Sequence, residues 1–150
     1  MQRGWTGLAG LLLTALALPA AAQQSGAPDP TAPRGALRCP TPAQTGQADL
    51  LGLWHAVFEG QPKGATLLLE QHPELAESVR GAINRDGERA FVAGDVGDGE
   101  FTLEESVDGQ RISGTWLGTV VEGSCGREIR GNWQRAGESV AVPFRLRKLP

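Results

Sequence analysis

Three Asp-Gly pairs, Asp86-Gly87, Asp98-Gly99 and Asp108-Gly109, punctuate the middle of the chain at spacings of twelve and ten residues. Asp-Gly readily supplies the two positive-φ positions of a type I′ turn, whose twist matches that of the strands on either side. The residues between the pairs alternate apolar and polar, which is the pattern of a half-buried strand. Turns of this kind, repeated at this spacing, predict an antiparallel meander in which each strand pairs with the next.

Extended over the whole chain, the pattern gives eight strand-like runs from Leu51 onward. They are Leu51–Phe58, Ala65–Gln71, Ser78–Asn84, Arg89–Val96, Glu100–Ser106, Arg111–Val121, Arg127–Gln134 and Ser139–Arg147. Short strands separated by frequent turns indicate an all-β barrel or sandwich. The faces favour a barrel. Val79, Gly81 and Ile83 share one face, as do Phe101 and Leu103. Ile112, Gly114, Trp116 and Gly118 do likewise, and so do Ile129, Gly131 and Trp133, and Val140, Val142, Phe144 and Leu146. Charged and polar residues hold the alternate positions. One face dry and one wet along these strands is the pattern of a single sheet closed on itself. The fold class expected is all-β: a single eight-stranded antiparallel up-and-down β-barrel.

Upstream of the strands the composition changes twice. Residues 1–22 have the form of a cleaved signal peptide: Arg3 is the sole charge, Leu8 to Leu18 is the apolar run, and Ala20-Ala21-Ala22 is a small-residue cleavage site. That run is well short of the roughly 20 apolar residues needed to span a bilayer. Residues 23–47 are a Pro/Ala-rich flexible linker by composition, too poor in apolar residues to offset the entropy of ordering. Residues 48–150 are the β-barrel domain. The division implies an exported protein, periplasmic or extracellular, with no later membrane span. A net charge of −3 argues against a nucleic-acid partner.

In an oxidising compartment, two cysteines are expected to pair, here Cys39 with Cys125. The topology agrees. In an eight-strand meander the start of the first strand and the connection between the sixth and seventh lie at the same end of the barrel. No metal is expected, since His55 and His72 show no ligand spacing with either cysteine.

Gly52-Leu53-Trp54 at the start of the first strand, Ser113-Gly114-Thr115-Trp116-Leu117-Gly118 in the sixth and Gly131-Asn132-Trp133 in the seventh resemble the avidin and streptavidin barrels, over residues 50–150. Similar short motifs occur in meander barrels of the lipocalin kind. The resemblance implies the fold and not biotin binding. The avidin family uses a tyrosine in its third strand and a late acidic or amide residue in its eighth, whereas this chain contains no tyrosine, and its eighth strand reads Val140-Ala141-Val142-Pro143-Phe144.

No catalytic constellation is apparent. Neither histidine sits in a nucleophile–base–acid motif, and the adjacent Glu104 and Glu105 point to opposite faces of their strand. A non-enzyme without cofactors is therefore expected. Trp54, Trp116 and Trp133 are the leading candidates to line an aromatic pocket for a small apolar ligand. The inward glycines Gly114, Gly118 and Gly131 would leave either a void or room for a facing indole. The alternative is that the indoles, with Phe58, Phe101 and Phe144, fill the interior. Glu105 falls on the inward phase set by Phe101 and Leu103. It is expected at the rim in water, or, if buried, against a ligand or an internal cation. Charge is segregated: eight acidic residues lie from Asp86 to Asp108, whereas Arg130, Arg145 and Arg147 belong to a basic C-terminal region. That basic face is the candidate surface for the second reading, an envelope protein-interaction module such as an inhibitor of a secreted hydrolase.

Overall fold

A computed structural model describes residues 39–150; the signal peptide expected over 1–22 and linker residues 23–38 lie outside the described residues. Eight strands follow one another: β1 Gly52–Phe58, β2 Ala65–Gln71, β3 Ser78–Arg85, β4 Glu88–Gly97, β5 Glu100–Ser106, β6 Gly114–Val120, β7 Glu128–Arg135 and β8 Ala141–Lys148. Each pairs antiparallel with the next, and β8 returns to β1 through the ladder Trp54↔Lys148 to Phe58↔Phe144. The sheet is a closed barrel in up-and-down order, as the alternation predicts.

Two of the three Asp-Gly pairs make the expected turns. Asp86 and Gly87 have φ of 54° and 88°, and Asp98 and Gly99 have 51° and 84°. The third pair does not. Asp108-Gly109 lies within a seven-residue connection, 107–113, and only the glycine has positive φ. The Asp108 side chain explains the difference: Oδ1 accepts from the backbone N–H groups of Gln110 at 2.9 Å and Arg111 at 2.8 Å, folding the loop around the carboxylate. Accordingly β6 begins at Gly114 rather than Arg111, and Ile112, expected inside with Trp116, is exposed. Val140 is likewise outside, because β8 begins at Ala141 rather than Ser139.

The interior is one apolar cluster, to which every strand contributes. Of the three inward glycines near the indoles, Gly114 is overlaid by the Trp133 indole, and Gly118 faces Ile129 and Phe144. Gly131 meets the backbone of Leu117 and Gly118 so closely that any side chain would collide with it. These glycines let the sheet coil and the rings pack.

The two ends of the barrel differ. At one end the Cys39–Cys125 disulfide ties the chain entering β1 to the β6–β7 connection. There a 3-10 turn, Pro42–Gln44, and a short helix, α1 Gln47–Leu50, lie across the strands, with Leu50 and Thr45 buried. Part of the compositional linker thus forms this closing segment. Trp54 belongs to this end: its Nε1 donates to the Leu50 carbonyl at 2.7 Å, and the Lys148 ammonium lies 5.8 Å from its ring. Lys148 in turn donates to the Asp49 carbonyl at 2.6 Å. Burial and the neighbouring Arg127 hold that ammonium below the usual lysine range, against the attraction of Asp49. At the other end the turns β1–β2, β3–β4, β5–β6 and β7–β8 surround the mouth.

Candidate functional site at the open end of the barrel

Alternation along β5 brings Glu105 inward after Phe101 and Leu103, and along β3 it brings Arg85 inward after Val79, Gly81 and Ile83. The two side chains meet at the mouth, with Arg85 Nη2 donating to Glu105 Oε2 at 3.1 Å. Glu105 is therefore not a solvated rim residue. It is 7 % exposed, because Arg85 and two indoles cover it. The same Oε2 accepts from Trp133 Nε1 at 3.2 Å and Trp116 Nε1 at 3.3 Å. A buried carboxylate needs such partners, since desolvation without them is costly.

Gly114 makes this convergence fit. It stands opposite Glu105 in the β5–β6 ladder, and a β-carbon there would lie 2.7 Å from Trp133 Nε1. Its missing side chain is the space through which the indole reaches the carboxylate.

Aromatic rings complete the surroundings of the guanidinium. Arg85 Cζ lies 4.2 Å from the centroid of Trp133, 4.9 Å from Phe58 and 5.9 Å from Trp116. The rings pack on one another: Phe58 meets Trp133 edge to face at 5.9 Å and Trp116 at a tilt at 5.3 Å, and Trp116 meets Phe144 edge to face at 4.8 Å.

The structure thus brings Trp116, Trp133 and Glu105 together and leaves Trp54 at the far end. Sequence reasoning missed Arg85, because its strand was ended at Asn84; the signal was the inward phase, carried one step past Ile83. The basic candidates lie on the outer wall. Glu128 binds both Arg130, at 2.7 Å, and Arg147, at 2.9 Å. Burial raises the Glu128 pKa, but the hydrogen bonds and charges of these two arginines outweigh it, holding the carboxyl below its ordinary value. Arg145 stands opposite Arg130 in the β7–β8 ladder and lines a shallow cleft with Val57 and Pro143.

Several exposed apolar side chains stand among the charged turns of the mouth, which carry the ion pairs Lys63–Asp86, Asp108–Arg111 and Arg135–Glu138. Val140 is 69 % exposed before β8, Val107 is 66 % exposed after β5, and Phe91 on β4 is 57 % exposed. Phe91 and Ile112 line one crevice, and Ile112 and Val107 the next, so three of these side chains are continuous. The histidines take no part: His55 is exposed on β1, and His72 Nδ1 accepts from the Leu75 N–H at 3.1 Å in its own turn.

Compared with known proteins, the chain matches no family model and no curated protein. The class it defines is the eight-stranded closed antiparallel barrel in up-and-down order, and no match ties it to the avidin or lipocalin families.

Proposed function

We propose that this chain is a non-enzymatic, exported binding module that engages another protein of the envelope or extracellular space through the open end of its barrel. The observation that carries this reading is that side chains fill the interior. Trp54, Trp116, Phe101 and Leu103 are fully buried, and the indole-facing glycines are already overlaid by side chains or backbone. That packing weighs against the other reading, a small apolar ligand held between the tryptophans, and moves recognition to the outside. There Phe91, Ile112 and Val107 form a continuous apolar strip rimmed by charged turns, the kind of patch that marks protein contacts, and Val140 is exposed at the same end. Export is supported by the disulfide and by the form of the first 22 residues.

A photo-crosslinker at Val140 or Phe91, introduced in the native host, tests the reading against the same group at Glu122, an exposed position at the disulfide end. A discrete adduct from the first two positions and none from the third is the expected result. Adducts equal at both ends, or none, would sink it. Separately, an apolar fluorophore should show no saturable uptake by the native protein; tight uptake would restore the internal ligand.

A further inference from the structure

Phe58, Trp116 and Trp133 present ring faces to one point, and Glu105 presents a carboxylate oxygen to the same point. Aromatic faces carry negative potential and attract guanidinium and ammonium groups, and a carboxylate beside them adds charge and direction. This is the composition of a cation-recognition cage. In the resting protein its occupant is the chain's own Arg85.

That occupant is incompletely satisfied. Its Nη2 makes the one hydrogen bond that the guanidinium forms among the described residues, and its Nε is buried without an acceptor. A guanidinium can offer two parallel N–H groups to a carboxylate, one to each oxygen. Here Oε2 takes Arg85 and both indoles, while Oε1 takes no hydrogen bond among the described residues. The cage is thus better built for a guanidinium than Arg85, approaching from the end of β3, can exploit. Arg85 also stands where it can leave. It is the last residue of β3, at the margin of the mouth, and its side chain is 21 % exposed. Rotation about its side-chain bonds would carry it into solvent without moving a strand.

We propose that the open end of the barrel is a binding cage for a guanidinium group, held at rest by Arg85 and surrendered to a guanidinium presented from outside. The incoming group stacks on Trp133 and Phe58 and pairs with Glu105. An arginine side chain of a docked protein and a free guanidino compound offer the same chemistry. Only the first source rests on the reading that the open end is a protein-contact face; the cage itself does not.

The test follows the indole N–H signals of Trp116, Trp133 and Trp54 by NMR while native protein is titrated with agmatine, with a short peptide carrying one arginine, and with its lysine counterpart. The tethered Arg85 competes at an effective concentration on the order of millimolar, so the titration must run well above that. Trp116 and Trp133 should shift saturably and Trp54, at the far end, should not. The lysine peptide should bind more weakly than the arginine peptide. Removing the competitor by Arg85→Ala should tighten agmatine binding about tenfold if Arg85 fills the cage roughly nine-tenths of the time. If that variant does not fold, Arg85→Gln takes its place. Response to the peptide alone assigns the guanidinium to a protein, response to agmatine alone assigns it to a free compound, and either supports the cage. No saturable shift in the native protein, or binding no tighter after Arg85 is removed, overturns it. Neither result bears on the crosslinking at Val140, which stands or falls separately.

Discussion

The Arg85 guanidinium reaches Glu105 Oε2 from two strands away, across the end of β4, at 3.1 Å. The two are not ladder neighbours. Curvature of the barrel wall brings their inward side chains over the core, where each charge depends on the other. Removing one partner of a buried pair leaves an uncompensated charge and typically costs about 3–5 kcal/mol. Arg85 is partly exposed, so the lower end of that range, about 3 kcal/mol, is expected for Glu105→Gln. The amide oxygen of that variant still serves the two indoles and leaves only the charge of Arg85 unpaired. Adding Arg85→Met removes that charge as well and should recover most of the loss. Urea denaturation of the native protein, the two single variants and the double variant closes the cycle. Additive losses would show that the pair carries no coupling.

The disulfide joins residues 86 positions apart and fastens the closing segment over its end of the barrel. In the chain-entropy model a loop of that length contributes about 4–5 kcal/mol by restricting the unfolded chain. Reduction should lower the denaturation midpoint accordingly, and thiol labelling of unfolded, unreduced protein should find no free cysteine. Equal midpoints with and without reductant would show that the segment stays docked without the bond and that the unfolded chain gains little from its release.

Asp108 sets the pH behaviour of the β5–β6 loop. Backbone hydrogen bonds from Arg111 and then Gln110, with the Arg111 side chain next, lower its pKa from 3.8 to about 2. Because the folded value lies below the unfolded one, the stabilisation is fully present above pH 3.8 and is lost as pH falls through about 2. Carboxyl chemical shifts should therefore show Asp108 ionised at pH 3, when ordinary aspartates are largely protonated. Amide signals of Gln110 and Arg111 should move with that titration. A midpoint near 3.8 would mean that the loop does not hold the carboxylate in solution.

Strand order, inward faces and the cysteine pair were legible because each rests on a local rule: period-two alternation, Asp-Gly turn chemistry, and the end-to-end bookkeeping of a meander. The misplaced residues fail for one physical reason. Ile112 and Val140 carry apolar side chains in phase with their strands, but they lie in loops whose backbone is held otherwise, by the Asp108 carboxylate for Ile112 and by the later start of β8 for Val140. Phase has meaning only where the ladder persists. The site was half legible. Trp116, Trp133 and Glu105 could be placed on inward phases, but their convergence with Arg85 depends on curvature across non-adjacent strands, which no one-dimensional pattern records. Trp54 shares their phase yet not their end of the barrel, because β1 enters at the disulfide end.

Gly114 carries the sharpest test of that convergence. A β-carbon there would sit 2.7 Å from Trp133 Nε1 and 3.2 Å from the adjacent ring carbon, too close for either to remain. The indole is rigid and packed against Phe58, so it can yield only by drawing back from Glu105. Overpacking of this kind costs about 1–3 kcal/mol, and the lost hydrogen bond leaves a buried N–H unmatched. Gly114→Ala should accordingly destabilise the barrel by about 2 kcal/mol in that range. It should also shift the Trp133 indole N–H signal upfield toward that of a free donor, with the Trp54 signal unmoved. A variant as stable as the native protein, with the Trp133 signal unchanged, would mean that the indole does not occupy the space beside Gly114 and that Glu105 is held by Arg85 and Trp116 alone.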